Sequence, residues 1–270
     1  MNKHLELIVT DLDGSLLDSK KNCPEEIHHL IDELHKKNIL FGICSGRQYA
    51  SIHDKLNQRD DILYLGENGG ICIFKNEVIH FNSLPQDSID EFVKLTRSID
   101  GCTAVLCGKD KAYTESKNAA HLEKIRMFYQ SFDIVDDLLD IHEPFCKISV
   151  LDLKGSEHNC YPYFKKYQND FEVIVSDAIW MDICCKNQSK GNTLKKAAEI
   201  LNIDLNKAVA FGDYFNDVEM LNAVNYSFAM TNAHPDVKKQ ARWIAPSNDD
   251  KGVVKVIETI LNHLHEEVEQ

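Results

Sequence analysis

The chain has 270 residues, of which 43% are hydrophobic, so it can bury one large core or two smaller ones and is not predicted to be disordered. Its formal net charge of −13 argues against a nucleic-acid partner, because binding a phosphate backbone requires clustered Lys and Arg. No apolar run reaches the roughly 18 residues of a membrane-spanning helix, and no secretory signal is recognised, so we expect a cytoplasmic protein without a membrane partner.

The N-terminal third of the sequence is predicted to alternate strands with helices. An apolar run from Leu7 ends at Asp11, and Pro24 then opens a segment whose apolar residues recur at helical spacing. The run at 39–44 is continuously apolar, as in a parallel strand covered on both faces, and it completes a βαβ unit. The elements that follow are a helix through Ile52 and Leu56, a strand near 62–65 and a hairpin at 71–74 and 78–81.

Residues 82–184 differ in texture and are predicted to form an inserted domain. Short strands and helices are interspersed there, which is typical of an antiparallel α+β arrangement. The predicted strands lie at or near 102–107, 111–114, 146–152, 171–176 and 179–184, and the predicted helices at 89–99, 118–131 and 157–168.

Alternation of strands and helices resumes after residue 184. The predicted elements are a helix from Gly191, a strand at 208–211, a helix over 218–224 and a strand near 227–230. The predicted fold class is therefore α/β. A Rossmann-like, doubly wound parallel sheet from residues 1–81 and 185–270 carries the inserted α+β domain at 82–184.

The nine cysteines are predicted to be reduced thiols that pack as small hydrophobic side chains. Their number is odd, several lie in apolar runs, and no Cys-x-x-Cys pair occurs. The twelve histidines show no metal-binding spacing. The sequence therefore predicts neither a disulfide framework nor a structural zinc site.

Two aspartates end the first predicted strand and are the first candidate catalytic residues. Asp11 and Asp13 are followed by Gly14, so a tight turn can aim the two carboxylates at different tasks. In an open α/β sheet, ligands bind beyond the carboxyl ends of the strands, where both side chains are expected. The same Asp-x-Asp-Gly turn also caps ordinary helices or begins a calcium loop, so the pattern alone leaves that alternative open.

Two further positions place groups that can bind phosphate at predicted element ends. Ser45 and Gly46 close the second strand, where a hydroxyl and backbone amides can donate to a phosphoryl oxygen; a purely structural serine is the alternative. Lys190 begins a helix that Ser189 can cap. A bound anion would explain a cation at a helix N-terminus, and a solvent-facing lysine is the alternative.

The segment 210–217 again runs from an apolar strand into acidic residues. Asp213, Asn216 and Asp217 fall within one turn of a beginning helix. They offer a cluster of oxygen ligands suited to Mg²⁺. A helix cap without a metal is the alternative for this segment.

Together, these four sites resemble the motifs of the haloacid dehalogenase superfamily in its two-aspartate phosphatase form. The matched segments are Asp11-Leu12-Asp13-Gly14-Ser15-Leu16, Ser45 before Gly46, Lys190 before Gly191, and Gly212-Asp213-Tyr214-Phe215-Asn216-Asp217. Residues 68–70 and 230–233 are similar to further family segments, so the resemblance spans nearly the whole chain. The large insert between the second and third motifs resembles the Cof-type branch, whose α+β cap selects the substrate.

The resemblance implies a magnesium-dependent phosphatase that hydrolyses small phosphate monoesters, such as sugar phosphates, through an aspartyl-phosphate. Asp11 is then the expected nucleophile and Asp13 the expected general acid and base. The implied metal-binding residues are Asp11, Asp213, Asp217 and, through its backbone carbonyl, Asp13. The implied phosphate-binding residues are Ser45, Gly46, Lys190 and Asn216. Mg²⁺ is the implied cofactor, and a small phosphate ester is the implied partner.

Other functions share parts of this pattern. A sugar phosphomutase would hand the phosphoryl group to a sugar rather than to water, and a catalytically idle sugar-phosphate sensor would only bind. Haloacid dehalogenation is disfavoured because that reaction does not use a second aspartate such as Asp13 as an acid. Arg47 either touches the substrate or forms a surface ion pair. The sequence specifies neither the substrate nor the oligomeric state.

Overall fold

The computed structural model describes residues 4–266, with side chains described for residues 4–264. Its strands are β1 (Leu7–Asp11), β2 (Leu40–Cys44), β3 (Leu63–Gly66), β4 (Ile71–Phe74), β5 (Glu77–Phe81), β6 (Cys102–Cys107), β7 (Ala112–Thr114), β8 (Phe132–Ile134), β9 (Lys147–Asp152), β10 (Phe171–Asp177), β11 (Trp180–Cys185), β12 (Ala208–Gly212), β13 (Tyr226–Met230) and β14 (Trp243–Ala245). Its α-helices are α1 (Glu26–Lys36), α2 (Tyr49–Lys55), α3 (Gln86–Arg97), α4 (Ala119–Phe128), α5 (Tyr161–Phe164), α6 (Lys190–Leu201), α7 (Val218–Ala223), α8 (Pro235–Lys238) and α9 (Gly252–Glu266). Residues 1–3 and 267–270, which the sequence analysis assigns to the core, lie outside the described part.

Two compact units make up the chain. The core unit comprises Met1–Gly46, Ile52–His80 and Ser189–Gln270, and the insert unit comprises Arg47–Ser51 and Phe81–Gln188. A sheet of eight strands and a sheet of six strands account for the strands given above. Over residues 4–266, no helix is both long enough and apolar enough to cross a bilayer.

The sheet of the core unit has the order β14-β13-β12-β1-β2-β3-β4-β5. All neighbours from β14 to β3 are parallel, and β4 runs antiparallel to β3. The chain winds outward from β1 through β2 and β3, then returns on the other side of β1 through β12, β13 and β14. The carboxyl ends of β1 and β12 therefore flank a topological switch point, the usual ligand site of such a sheet. The predicted α/β class is confirmed.

Burial of the parallel strands and of one helix face holds this sheet rigid. α1 buries Ile27, Leu30, Ile31 and Leu34, the positions whose spacing predicted the helix. β1 is buried along its whole length, as expected of a parallel strand that is covered on both faces. Asp11, the last residue of β1, is thus held at a well-fixed edge.

The insert unit has a sheet of different character, with the order β10-β11-β9-β6-β7-β8. Its neighbours are antiparallel except for the parallel pair β7 and β8. On one face, the Phe92 ring of α3 meets the rings of Phe164, Tyr167 and Phe171 edge-on at centroid distances of 4.9 to 6.0 Å. Such aromatic contacts add to the hydrophobic burial that stabilises this unit.

The sequence analysis missed β8, β14, α8 and α9 and overestimated one helix. Three of the missed elements, β8, β14 and α8, have only three or four residues, which is too few to give a periodic signal. The signal for α9 was present, because Val253, Ile257 and Ile260 recur at helical spacing and are buried. The helix predicted over 157–168 is wrong in length: α5 covers four residues and a 3-10 turn at Lys165–Tyr167 follows it.

Candidate active site

Asp11 ends β1 and is almost fully buried. The chain turns directly after it: the Leu16 N–H donates to the Asp11 carbonyl at 3.3 Å, and Gly14 adopts a φ of +86°. Gly14 also approaches the loop after β12 so closely that a Cβ would lie 2.4 Å from Asp213 Oδ2. The turn therefore needs glycine both for its backbone conformation and for space.

Lys190, the first residue of α6, is buried, and its ammonium binds two carboxylates. Lys190 Nζ donates to Asp11 Oδ1 at 2.5 Å and to Asp217 Oδ1 at 2.7 Å. Burial opposes the charged form, but the two carboxylates outweigh it and raise the pKa of Lys190. Ser189 caps the helix as predicted, since its Oγ accepts from the Asn192 N–H at 3.1 Å. The solvent-facing alternative for Lys190 is wrong.

The loop after β12 is organised by Asp217, which is fully buried. Asp217 Oδ2 accepts from the N–H groups of Asp213 at 2.9 Å and Tyr214 at 3.1 Å, while Oδ1 binds the Lys190 ammonium. Asp213 is oriented from the β1 side, because Ser15 Oγ donates to Asp213 Oδ1 at 3.3 Å. The two acidic residues of this loop are therefore fixed by different partners.

Three carboxylates converge beside Lys190. One oxygen from each of Asp11, Asp213 and Asp217 lies within 4.8 Å of the other two. Burial is the largest cause that raises the pKa of Asp11 well above its ordinary value and that of Asp213 to about 6, and the Asp217 charge raises both further. Asp11 Oδ2 receives no hydrogen bond from any residue the structure describes. A single ammonium cannot balance three carboxylates, so this set of hard oxygen ligands fits Mg²⁺.

The Asp13 carboxylate is in a different environment from that of Asp11. It is partly exposed, and its Oδ1 pairs with Lys21 Nζ at 2.8 Å. Lys21 adopts a left-handed backbone conformation with a φ of +66° in the loop after the first motif. Asp11 is thus buried as a member of the carboxylate cluster, whereas Asp13 has access to solvent.

The carboxyl end of β2 meets the loop after β3 at Ser45 and Asn68. The Ser45 N–H donates to the Leu65 carbonyl at 2.8 Å, and the Asn68 N–H donates to the Ser45 carbonyl at 3.0 Å. Asn216 Nδ2 donates to Asn68 Oδ1 at 2.9 Å. A Cβ on Gly46 would lie 3.1 Å from Asn68 Nδ2. Three predicted phosphate-binding residues, Ser45, Gly46 and Asn216, are therefore linked through Asn68.

Several supporting residues were not assigned a role from the sequence. Asn68 and Asn232 lie in the two further segments that resemble family segments, which was the only available signal for them. Asn232 Nδ2 donates to the Gly14 carbonyl at 2.8 Å and so holds the first turn. Lys21 had no distinguishing pattern. Arg47 belongs to the insert unit, and both alternatives for its role remain open.

Comparison with known proteins gives matches along almost the whole chain. A family model described as haloacid dehalogenase-like hydrolase matches residues 8–257. The chain is 27% identical over 267 residues to 5-amino-6-(5-phospho-D-ribitylamino)uracil phosphatase YbjI of Escherichia coli K12, covering 96% of this chain and 97% of that protein. It is 24% identical to phosphatase YwpJ of Bacillus subtilis 168, covering 95% of this chain and 100% of that protein. A solved structure from Eubacterium rectale superposes with a TM-score of 0.89 at 24% identity, covering 95% of this chain and 99% of that one.

Proposed function

The chain belongs to the haloacid dehalogenase-like hydrolase family, and from that membership we propose that it hydrolyses small phosphate monoesters with Mg²⁺ through an aspartyl-phosphate on Asp11. That it is an enzyme of the phosphatase class follows from the family and from its named relatives. The metal, the covalent intermediate, the substrate class and the residue roles are the parts that we propose.

The environment of Asp11 carries the proposal. Its carboxylate is buried at the switch point of the sheet, with Oδ1 held by Lys190 and Oδ2 free of hydrogen bonds from the described residues. A carboxylate with one oxygen fixed and the other uncommitted is suited to in-line attack on phosphorus. An ordinary helix cap would instead direct its oxygens to backbone N–H groups.

In the first half of the reaction, Asp11 Oδ2 attacks the phosphorus atom and the bond to the leaving oxygen breaks. Asp13, in its protonated form, gives its proton to that oxygen, which departs as an alcohol. The product on the enzyme is an acyl phosphate on Asp11. Contact of Asp13 with solvent supports this role, because the leaving oxygen and the attacking water must both reach its carboxyl group.

In the second half, water attacks the phosphorus atom of the aspartyl-phosphate while Asp13 removes a proton from that water. The bond between phosphorus and Asp11 breaks, which restores the carboxylate and releases inorganic phosphate. Four groups are assigned to stabilise the negative charge on the phosphoryl group during its transfer. They are the Lys190 ammonium, the Ser45 hydroxyl, the Gly46 N–H and the Asn216 amide.

Mg²⁺ would be held by Asp11, Asp213 and the Asp13 carbonyl, with Asp217 orienting the ligands. When bound, it supplies charge neutralisation between an anionic ester and a carboxylate nucleophile, which otherwise repel each other. Burial raises the pKa of Asp11 and of Asp213, so it opposes their ionised forms, and a bound cation would offset that cost.

The insert unit is proposed to be the substrate-selecting cap of a Cof-type phosphatase. Its position between the second and third motifs supports this role. Sugar phosphates are the first substrates to test, and the name of the Escherichia coli relative adds a phosphorylated ribitylaminouracil. The cytoplasmic location remains a prediction.

The proposal is tested by measuring release of inorganic phosphate from a panel of aryl and sugar phosphates, with Mg²⁺ and with a chelator. We expect Asp11→Asn to lower kcat on the order of 10⁴-fold or more, because the nucleophile is lost. Asp13→Ala should lose more activity with sugar phosphates than with aryl phosphates, because good leaving groups need little protonation. Asp136→Asn is the matched control, since that aspartate is exposed in the insert unit.

The outcomes separate the alternatives. Magnesium-dependent turnover by Asp11→Asn at the wild-type rate would refute the nucleophile, and equal losses for both ester classes in Asp13→Ala would refute the acid and base role. Transfer of the phosphoryl group to a second sugar without phosphate release would indicate a phosphomutase. Tight binding of one ester without turnover of any would indicate a sensor.

A further inference from the structure

A second group of ligand-type side chains lies in the insert unit, whereas the residues of the proposed reaction belong to the core unit. Cys102 begins β6, Asp152 ends the neighbouring strand β9, and Cys160 directly precedes α5. The two Sγ atoms and a carboxylate oxygen of Asp152 all lie within 4.8 Å of one another. Cys102 and Asp152 are direct partners in the antiparallel register, which explains why these two of the three residues meet.

Asp152 is fully buried, and only one of its oxygens is well satisfied. Oδ1 accepts from the Lys154 N–H at 2.9 Å and from Asn159 Nδ2 at 3.0 Å. Oδ2 has no hydrogen-bond partner anywhere in the part of the chain that the structure describes. Burial acts to raise the pKa of Asp152, but hydrogen bonds from Asn159 and Lys154, with the nearby thiols, outweigh it and lower that pKa. A buried carboxyl oxygen without a hydrogen bond, next to two thiols, is a polar group that a bound cation would satisfy.

The two thiols are free and are held by weak contacts. Cys160 Sγ donates to the Ser156 carbonyl at 3.5 Å, and Asn159 Nδ2 approaches Cys102 Sγ at 3.8 Å. Interaction with Cys160, burial and the charge of Asp152 together raise the pKa of Cys102. A metal ion that binds here must displace the thiol protons, which is the usual relation between a metal and a coordinating thiol.

We propose that Cys102, Asp152 and Cys160 bind a Zn²⁺ ion in the insert unit. Two thiolates and one carboxylate are ligands that favour Zn²⁺ over Mg²⁺, and they differ in kind from the all-oxygen cluster around Asp11. The cysteine spacing in the sequence gave no sign of this site, because the two thiols are 58 positions apart. Strand pairing brings Cys102 to Asp152, and the segment between β9 and α5 brings Cys160 to both.

Three protein ligands leave one position of a tetrahedral zinc site, which we assign to water. Cys102 is only half-buried, so solvent and the ion can reach the site from its side. Asn159 faces Asp152 and Cys102 with its Nδ2, which also donates to the Asp100 carbonyl, and an amide nitrogen is not a zinc ligand. It orients the ligands instead. The ion would join the start of β6, the end of β9 and the start of α5.

The test uses Co²⁺ as a spectroscopic substitute for Zn²⁺ on the reduced, metal-free full-length protein in excess Mg²⁺. Thiolate ligands give Co²⁺ an intense charge-transfer absorption that carboxylates cannot give, so the Asp11 cluster does not contribute. We expect the band to saturate at about one Co²⁺ per chain and to disappear when Zn²⁺ is added. Zn²⁺ should also raise the Tm of the wild-type protein.

The variants Cys102→Ser, Cys160→Ser and Asp152→Asn should each lose the band. Asp152→Asn keeps the shape of the side chain, and its circular dichroism before metal addition shows whether it has folded. Cys185→Ser is the matched control, because Cys185 is a half-buried thiol of the same unit outside the cluster. Asp11→Asn should keep the band, so this result stands apart from the proposed phosphatase mechanism.

Three results would overturn the proposal. The first is the absence of a thiolate band after Co²⁺ addition to wild-type protein in which a thiol assay shows that the cysteines are reduced. The three residues would then be a hydrogen-bonded cluster that binds no metal. The second is a band that persists in both folded Asp152→Asn and Cys160→Ser. The third is a Cys102–Cys160 disulfide, detected by mass spectrometry, in protein isolated without added oxidant.

Discussion

The two units each bury a lysine, and the two lysines lie at different distances from their carboxylate partners. Lys190 of the core unit is 1% exposed and binds carboxylates at 2.5 and 2.7 Å. Lys147 of the insert unit is 9% exposed, but its Nζ lies 3.8 Å from Asp182 Oδ2 and 5.8 Å from the centroid of the Tyr129 ring. Burial is therefore similar, whereas the strength of the local charge pairing is not.

This comparison shows that the surrounding charges, rather than burial, distinguish the two lysines. In the core unit, the Lys190 ammonium binds the buried carboxylates of Asp11 and Asp217, so removal of Lys190 would leave both without a cation. In the insert unit, the Asp182 carboxylate also accepts from the Ser149 hydroxyl, which in turn accepts from Tyr129 Oη at 2.7 Å. Asp182 would thus keep a hydrogen-bond donor without Lys147.

The largest difference is expected between Lys190→Met and Lys147→Met. In chelator at pH 7, Lys190→Met should lower the free energy of unfolding by about 3–5 kcal/mol, because it breaks a buried ion pair and leaves Asp11 and Asp217 unbalanced. Lys147→Met should cost about 1 kcal/mol or less, since its charge pairing is longer and Asp182 stays hydrogen-bonded. Urea unfolding monitored by circular dichroism measures both.

Phosphatase activity also distinguishes Lys190→Met from Lys147→Met. Lys190→Met should release no phosphate from any ester, because the ammonium that we assign to stabilise the negative phosphoryl group is absent. Equal stability losses for the two variants would contradict the view that charge pairing distinguishes the two lysines.

A smaller effect is expected from the pH dependence of the metal-free core. The pKa of Asp213 rises from 3.8 to about 6 in the folded protein, mainly through burial. The unfolded chain ionises first, so this group lowers stability as pH rises from about 4 to about 6. Solvent screening of this partly buried group reduces the effect to the order of 1–2 kcal/mol.

Asp213→Asn isolates that contribution. In chelator, the free energy of unfolding of the wild type minus that of the variant should fall across this pH range, and Mg²⁺ should diminish the fall by favouring the ionised carboxylate. A difference that stays constant with pH in the chelator would show that Asp213 does not titrate abnormally.

The smallest expected effects concern two helix caps, one in each unit. Ser189 caps α6 and Asn118 caps α4, each by accepting a backbone N–H. Ser189→Ala and Asn118→Ala should each cost about 1 kcal/mol of unfolding free energy. Only Ser189→Ala should also lower kcat, because its helix begins with Lys190. A matching loss of kcat in Asn118→Ala would contradict this distinction.

The sequence predicted the strands that are continuously apolar and the helices with a clear apolar face. β6 was predicted at its observed limits, and α1 was predicted from the spacing of the apolar residues that it buries. β8, β14 and α8 were missed because three or four residues are too few to show periodicity, and α5 was overestimated because a 3-10 turn replaces its second half. The positions of Asp11, Ser45, Lys190 and Asp213 at element ends followed from local patterns.

Contacts between distant segments could not be read from the same patterns. Nothing in the sequence around Lys21 indicates that its ammonium meets Asp13, and nothing around Asn68 indicates that it links Ser45 with Asn216. Both depend on loop conformations with left-handed residues, Lys21 at a φ of +66° and Asn68 at +53°. Such conformations have only weak local sequence preferences.

The sequence by itself determined which residues end the strands and begin the helices, because hydrophobic periodicity and capping are local properties of the chain. Only the tertiary structure decided which of those ends share one place. Parallel order around β1 brings Asp11 to Lys190 and Asp217 across 179 and 206 positions, and antiparallel pairing brings Cys102 to Asp152. Such proximity arises from strand order and close packing, which no short stretch of sequence contains.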